Sequence, residues 1–307
     1  MLSFLIRRIL QTVPTVLAVM LLVFALFSVV PGSIVSTMSD DSDPQVEARM
    51  KKQLGLDEPV YVRFGSYVSK LATGDLGTSF RTREPVTTMI AKRMGPTLQL
   101  IFAAMAFSII AGVPLGFVAA LRPGSIVDTV SMVVAVSGLS MAKFWLGLLL
   151  MYLFALKLGW LPSFGYGDGG ITYLILPAVT LGVSPMALLA RTTRAAVLEI
   201  MTADFVRTAR SKGMSETRVV KWHVARNALV LILTTTGLQF GALMGQAVVV
   251  EKLFSWPGIG SLLVDSVLQR DIPAVQGSIF VVVLFFLAIN LLIDLLYGVI
   301  DPRIRFA

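Results

Sequence analysis

Six long apolar runs decide what this chain can fold into. The first covers residues 9–30 and holds 22 residues without a charged side chain. A helix of that length is about 33 Å long, which is enough to cross the hydrocarbon core of a bilayer. The composition agrees, because 14% of the 307 residues are charged, whereas soluble domains carry about 25%. We therefore predict an all-α polytopic membrane protein with six transmembrane helices.

The five further runs are separated by segments that carry charges or turn residues. The predicted spans cover residues 9–30, 97–121, 130–156, 173–190, 228–250 and 275–300. A cleaved signal peptide is the competing interpretation of the first run, but its apolar region should hold only about 7–15 residues. The first run is longer and lacks a good cleavage site, so a retained span is favoured.

The spans divide the chain into three regions. Residues 1–30 form the cytoplasmic N-terminus and the first helix, and residues 97–307 form the transmembrane core. Between them, residues 31–96 carry nine basic and eight acidic side chains, and they are expected to form an external helical subdomain. Helices are predicted there over residues 46–54 and 60–71, because turn signals punctuate the segment.

The distribution of Lys and Arg predicts the orientation. The segments assigned to the cytoplasm hold thirteen of these residues, whereas the two shorter external segments hold only Lys252 and Arg270. Short cytoplasmic loops carry such an excess, so both termini are expected in the cytoplasm. The net charge of +8 then belongs largely to membrane flanks, and no nucleic-acid partner is predicted.

Several chemistries are excluded by residues that the sequence lacks. It has no cysteine, which excludes disulfides, thiol nucleophiles and cysteine metal sites. Its one histidine, His223, cannot form a metal site unaided. The phosphate-binding pattern G-x-x-x-x-G-K-[ST] does not occur. We therefore predict no catalytic residue and no metal site, and expect any ATP to bind another chain.

Residues 191–227 form a polar stretch between the fourth and fifth spans, with eight basic and three acidic side chains. A short helix is predicted over residues 203–212: Thr202 can cap it, Asp204 complements the dipole of its first turn, and Gly213 can end it in a left-handed conformation. A helix this short is marginal alone in water. The stretch is either a loop that only sets topology or a docking element for a cytoplasmic partner.

The same stretch resembles the cytoplasmic coupling motif of ABC-importer permeases, in the variant of the dipeptide, oligopeptide and nickel group. The general motif is Glu-Ala-Ala, three residues, Gly, nine residues and Ile-x-Leu-Pro, of which Ala209 and Gly213 match the alanine and the glycine. Other stretches resemble the same group, in one order over nearly the whole chain: GDLGTSF (74–80), KLGWLP (157–162), VVEKLFSWPGIG (249–260), RDIPAVQ (270–276) and DPRIR (301–305).

This resemblance implies a B-type subunit with the type I ABC-importer permease fold, multi-pass in a bacterial inner membrane. It implies a complex with a homologous second permease, two ABC ATPases that bind the ATP, and an extracytoplasmic solute-binding protein. The transported solute would be a dipeptide, an oligopeptide, glutathione or a nickel chelate, moved by alternating access. The short helix would insert into a groove of an ATPase. Its coupling candidates are Asp204, Arg207, Thr208, Ala209 and Gly213.

A few polar side chains within the predicted spans are candidates for the transport pathway. Lys143 lies mid-way along the third span, where a charge is costly, so it is either a pathway or gate residue or a residue at a break in the span. Gln239 and Gln246 in the fifth span could line a polar path or be satisfied structurally. In the sixth span, Asp294 with Asn290 fits a structural hydrogen bond, or a pair with a cytoplasmic-side Arg, better than a proton relay.

Small residues spaced by four predict close helix contacts. Gly237, Gly241 and Gly245 form such a series in the fifth span, and Gly112 and Gly116 form one in the second. Either these faces pack within the chain, or the fifth span contacts a second permease.

Two other classes of function stay open at this point. An ion-coupled secondary transporter would use Lys143 and Asp294, but the spans contain few acids and the coupling stretch argues against it. A membrane anchor or scaffold without transport is the third possibility.

Overall fold

The computed structural model describes residues 2–29, 58–167 and 169–300. Their secondary structure is helical apart from turns and one isolated antiparallel bridge, Thr78 to Pro85. The helices, numbered in chain order, are α1 (Leu2–Val29), α2 (Val60–Ala72), α3 (Val86–Leu121), α4 (Ile126–Ser140), α5 (Lys143–Lys157), α6 (Ile171–Met201), α7 (Asp204–Ser211), α8 (Glu216–Leu253), α9 (Ile259–Leu268) and α10 (Ile272–Ile300).

The predicted all-α membrane architecture is confirmed. Helices α3, α6, α8 and α10 are long and apolar enough to cross a membrane, and α4 with α5 makes a fifth candidate span. In α1, a shorter apolar helix covers Leu10–Ala25. The six predicted spans therefore correspond to α1, α3, the α4–α5 pair, α6, α8 and α10.

The chain divides into two compact units, which are described separately. The first comprises Met1–Gly95 and Gly258–Leu287, and the second comprises Pro96–Pro257 and Ala288–Ala307. In the first unit, the ring of Phe24 in α1 lies 5.4 Å from that of Phe64 in α2. The predicted helix at residues 60–71 is thus confirmed as α2, whereas the one at residues 46–54 lies outside the described residues. The external location of this region stays a prediction.

In the second unit, α6 is the most enclosed span. Of its most apolar window, 61% is buried, compared with 33% in α3 and in α8. Small residues in α3 explain its close approach to α6. A Cβ on Gly112 would lie 2.5 Å from the carbonyl oxygen of Met186, and one on Gly116 would lie 2.1 Å from that of Ala190. The backbones of α3 and α6 touch here, so this pair of glycines packs within the chain.

Two helices extend further than the apolar runs predict. Helix α3 begins at Val86 instead of residue 97, and α6 ends at Met201 instead of residue 190. Hydropathy marks only the part of a helix that faces lipid, whereas these extensions are amphipathic. Val86 and Val197 are fully buried, while charged neighbours face outward.

The prediction of one continuous third span is wrong. Helix α4 ends at Ser140, α5 begins at Lys143, and their axes differ by 111°. Met141 and Ala142 between them are extended, each with ψ of 132°. The run of Ser and Gly before the break explains it, because these residues are weak helix formers. The Ser140 hydroxyl also donates to the Val136 carbonyl at 3.0 Å, a contact that often bends helices.

We predict that Gly116→Ala destabilises the protein. The added methyl group would overlap the Ala190 carbonyl, and overpacking of this kind lowers the free energy of unfolding by about 1–3 kcal/mol. Gly65→Ala is the matched control, because Gly65 is exposed on α2 and no atom of the described residues lies within 4 Å of its added Cβ. In Gly65→Ala, the higher helix propensity of alanine should raise the free energy of unfolding by up to about 1 kcal/mol. Thermal unfolding in detergent measures both, and equal midpoints for the two variants would contradict the contact.

Candidate functional site

The short helix α7 forms at the predicted place, between helices α6 and α8 of the second unit. It covers Asp204–Ser211, with Asp204 in its first turn and Arg210 in its last, which suits the helix dipole. The predicted cap is wrong, however. Ala203 occupies the cap position without a side-chain hydrogen bond. Thr202 instead ends α6, where its hydroxyl donates to the Glu199 carbonyl at 2.8 Å.

The end of α7 confirms the predicted role of Gly213. This residue has φ of 77°, a left-handed conformation that favours glycine. Its N–H donates to the Arg210 carbonyl at 2.9 Å, and the N–H of Met214 donates to the Ala209 carbonyl at 3.3 Å. These two bonds make a Schellman motif, which satisfies the last carbonyls of a helix.

One face of α7 is packed into the chain. Val206 and Ala209 are buried in an apolar cluster with residues of α3, α6 and α8. The other buried members of this cluster are Ala120, Leu189, Ala196, Val197, Val219, Val224, Ala228 and Ile232. Ala209 therefore holds α7 against the membrane helices and does not lie on its outer surface.

The opposite face of α7 is open. The side chains of Asp204 and Arg207 are 99% and 72% exposed and lie 3.9 Å apart, and Thr208 is exposed beside them. Phe205, at the border of the two faces, is still 45% exposed. Protein interfaces combine aromatic residues with a rim of polar and charged groups, and this face has that composition. This face can receive a partner without any change in α7.

Sequence reasoning missed an ion pair beside this cluster. Arg194 in α6 donates to both carboxylate oxygens of Asp128 in α4, at 2.6 and 2.7 Å. The Gly124 N–H also donates to Asp128 at 3.0 Å, and the Ser125 hydroxyl caps α4 by accepting from the Asp128 N–H. The Asp128 side chain is 6% exposed and that of Arg194 is 30% exposed. The Ser-x-x-Asp pattern at the start of α4 was the available signal.

The structure brings two of the three pathway candidates together. Lys143 is the first residue of α5, and its Nζ donates to the side-chain oxygen of Gln246 in α8. Both residues are half-buried. Lys143 thus lies at a break in the third span. Gln239 is also half-buried, but it precedes Gln246 by two helical turns, about 10 Å along the axis.

The glycines of α8 do not share one environment. Gly241 is buried, Gly237 is half-buried and Gly245 is exposed. No described atom lies within 4 Å of a Cβ added to Gly245. A contact of this face with a second permease stays a prediction. The side chain of Asp294 lies outside the described residues.

Stretches that carry the family resemblance form buried contacts in each unit. In the second unit, Trp256 is fully buried, and its indole N–H donates to the Pro96 carbonyl at 2.9 Å. Glu251, also fully buried, accepts from the Thr97 hydroxyl at 2.7 Å. The ring of Tyr166 lies edge-on to that of Trp256, 4.7 Å away.

In the first unit, one carboxylate joins two further stretches of the resemblance. Asp271, which is buried, accepts from the Ser79 hydroxyl and from the Phe80 N–H, the latter at 3.1 Å. The GDLGTSF and RDIPAVQ stretches are therefore neighbours in space although they lie far apart in sequence. Sequence reasoning did not connect them.

Comparison with known proteins decides the family. Residues 1–101 match the N-terminal part of binding-protein-dependent transport system membrane components, and residues 112–306 match the binding-protein-dependent transport system inner membrane component. The chain belongs to this family. It is a multi-pass permease subunit of an ABC importer, and it works in a transporter complex with ATPase and binding-protein partners.

Full-length relatives agree with this assignment. The permease is 45% identical to the glutathione transport system permease protein GsiC of Escherichia coli O6:H1, over 307 residues that span all of both chains. It is 44% identical to GsiC of Escherichia coli K12 and 43% identical to that of Salmonella typhi, again over the full length of both chains.

Solved structures confirm the fold. The MetNI methionine ABC transporter, in an inward-facing conformation, matches with a TM-score of 0.59 and 18% identity, over 69% of this permease and 96% of that chain. An amino acid ABC transporter matches with a TM-score of 0.55 and 17% identity, over 69% and 94%. These likenesses show the type I importer fold that the sequence resemblance implies.

We predict that the Asp128–Arg194 pair stabilises the permease. Asp128→Asn removes a charge from a bidentate, mostly buried pair, and charge-assisted hydrogen bonds contribute on the order of 2 kcal/mol. Glu216→Gln is the matched control: Glu216 pairs with Arg210 at 2.8 Å, but its side chain is 65% exposed. An exposed pair contributes less than about 1 kcal/mol.

The thermal midpoint in detergent measures this difference. Asp128→Asn should fall well below the wild type and Glu216→Gln should stay near it. The double exchange Asp128→Arg with Arg194→Asp should recover part of the loss. Equal midpoints for the two single variants would show that the buried pair contributes nothing beyond a surface pair.

Proposed function

We propose that this permease forms the membrane pathway of an importer for small peptides, with glutathione or a glutathione-like peptide as its cargo. The supporting observation is the identity of 43–45% over the full length of both chains with relatives named as glutathione transport permeases. A dipeptide, an oligopeptide or a nickel chelate is the wider class from which the cargo comes.

The partners follow from the same proposal. A homologous second permease completes the pathway, two ATPases bind the ATP, and an extracytoplasmic solute-binding protein delivers the peptide. No cofactor is assigned to this permease itself. In the proposed orientation both termini and residues 191–227 face the cytoplasm, and residues 31–96 face outward.

The open face of α7 is proposed to contact an ATPase. Asp204, Arg207 and Thr208 would meet the ATPase groove, while Ala209 and Gly213 set the position and the end of the helix. When ATP closes the ATPase dimer, α7 moves with it. Because Val206 and Ala209 are packed against α6 and α8, that movement passes to the membrane helices and re-opens the pathway outward.

Transport assays test this function directly. The permease is purified with its partner subunits, reconstituted into vesicles and supplied with its binding protein. ATP-dependent uptake of glutathione or of a dipeptide is expected, and it should disappear without the binding protein. Uptake that persists without ATP but follows an ion gradient would favour the ion-coupled alternative.

We predict that Gly213→Val uncouples the importer while the spans stay inserted. A β-branched residue at φ of 77° is strained by about 1–3 kcal/mol, so α7 would lose its ending and its fit to the partner. Binding-protein-stimulated ATP hydrolysis and uptake should both fall at normal complex levels. Gly213→Asn is the matched control, because asparagine tolerates the left-handed region.

The control separates two causes. No described atom of this chain lies within 4 Å of a Cβ added to Gly213, so Gly213→Asn should keep both activities if backbone strain is the cause. Loss of ATP hydrolysis and uptake in both variants would mean that the partner groove excludes any side chain at this position. Wild-type activity of Gly213→Val would return residues 191–227 to a loop that only sets topology.

We predict that the segment around α9 faces outward and meets the binding protein. Gln269 is exposed beside Leu268, whereas Ser261 of the same segment is buried and unsuited to labelling. Because the sequence has no cysteine, Gln269→Cys provides a single thiol. A membrane-impermeant maleimide should label it from outside, and a short crosslinker should join it to the binding protein.

Thr208→Cys in α7 is the matched control and should be labelled only from the cytoplasmic side. Labelling of Gln269→Cys from the cytoplasm alone would overturn the proposed topology. Outside labelling without any crosslink would remove the binding protein from this surface.

A further inference from the structure

The break in the third span carries polar groups into a segment that is otherwise apolar. Met141 and Ala142 are extended between α4 and α5. The Met141 N–H still donates to the Ser137 carbonyl and the Ala142 carbonyl still accepts from the Leu146 N–H, so the helical pattern is interrupted only between these two groups. Inside a membrane, non-helical backbone is tolerated only where protein buries it or where it lines a water-filled cavity. Lys143, the next residue, is half-buried and charged. Ala142 is exposed in the described part of the chain, so the break fits the edge of a water-filled cavity better than a buried position.

The partner of Lys143 does not neutralise it. Its Nζ donates to the side-chain oxygen of Gln246, a neutral group. Among the described residues, no Asp or Glu oxygen lies within 4 Å of this ammonium group. An intramembrane charge is costly unless it is paired or hydrated. The ammonium has three donors, and the Gln246 oxygen uses one of them.

The pair presents mainly hydrogen-bond donors to a ligand. The Gln246 oxygen uses one of its two lone pairs to accept from Lys143, and its NH₂ group has two donors. Two further donors remain on the ammonium. Gln239 lies on nearly the same side of α8, since seven residues make almost two full turns. A positively charged site made of donors favours a carboxylate and disfavours an ammonium group.

We propose that Lys143 and Gln246 form a carboxylate-binding site in the transport pathway, which takes a free carboxylate of the transported peptide. The inference rests on the proposed function, because it assigns a substrate group to this permease. It implies that the permease itself, and not only the binding protein, distinguishes a peptide acid from the corresponding amide.

The test compares two probes in the reconstituted complex: glutathione, which has two free carboxylates, and its diamide, in which both are converted to amides. ATP-dependent uptake of each is measured for the wild type, Lys143→Gln and Lys143→Arg. Selection by the binding protein is the same in all three and cancels in the comparison. Lys143→Gln should lower the acid-to-amide uptake ratio about tenfold, which corresponds to about 1.4 kcal/mol. Lys143→Arg keeps the charge and should keep most of the ratio.

Two further variants guard against a purely structural effect. Lys157→Gln is the matched control. Lys157 is on the same helix as Lys143, but its ammonium group lies over the Tyr152 ring, 5.7 Å from the centroid. The acid-to-amide uptake ratio of Lys157→Gln should equal that of the wild type. Gln246→Leu should shift the ratio in the same direction as Lys143→Gln. Binding-protein-stimulated ATP hydrolysis reports that each complex is assembled.

The outcomes separate this inference from the proposed function. A wild type that takes up neither probe overturns both. A wild type that transports, with an unchanged ratio in Lys143→Gln, overturns the carboxylate site alone. An equal loss of both probes in Lys143→Gln likewise overturns it, because a gate or a structural residue would not distinguish an acid from an amide.

Discussion

Inside a membrane, each backbone N–H and C=O group must find its partner within the protein, and the architecture depends on this requirement. Long apolar runs can meet it only as helices, which is why the sequence predicts the spans so directly. The exception is the break at Met141–Ala142. There the Met141 N–H and the Ala142 carbonyl keep their helical partners, and the side chains of Lys143 and Gln246 bond to each other beside the break. The same constraint thus explains both the regular spans and the limited extent of this interruption.

Features encoded by neighbouring residues were predictable, and features encoded by distant ones were not. Six spans, helix α2 and the left-handed Gly213 follow from local patterns. The ends of α3 and α6 were misplaced because hydropathy detects only the lipid-facing part of an amphipathic helix. The contacts of Asp128 with Arg194 and of Ser79 with Asp271 join residues 66 and 192 positions apart, and no local pattern in a single sequence specifies such pairs.

The departure of α7 from the general coupling motif has a structural explanation. Only Ala209 and Gly213 match that motif, and the fold constrains both, Ala209 in size and Gly213 in backbone conformation. Ala209 is buried in the apolar cluster and Gly213 has positive φ. Arg207 and Thr208 lie on the open face, where the chain itself imposes no fit. Positions fixed by the fold keep the general motif, whereas open positions are free to match a particular partner.

These contacts connect α7 to the break in the third span. Val206 and Ala209 attach α7 to α6, and the Asp128–Arg194 pair attaches α6 to α4. Beyond the break, Gly147 lets α5 lie against α6 and α8, since a Cβ there would approach Thr180 to 3.2 Å and Leu253 to 2.4 Å. Both halves of the third span are therefore held by the helices that hold α7. Met141 and Ala142 join these two held halves in an extended conformation, so the helix of the third span is interrupted between two segments that are each fixed to their neighbours.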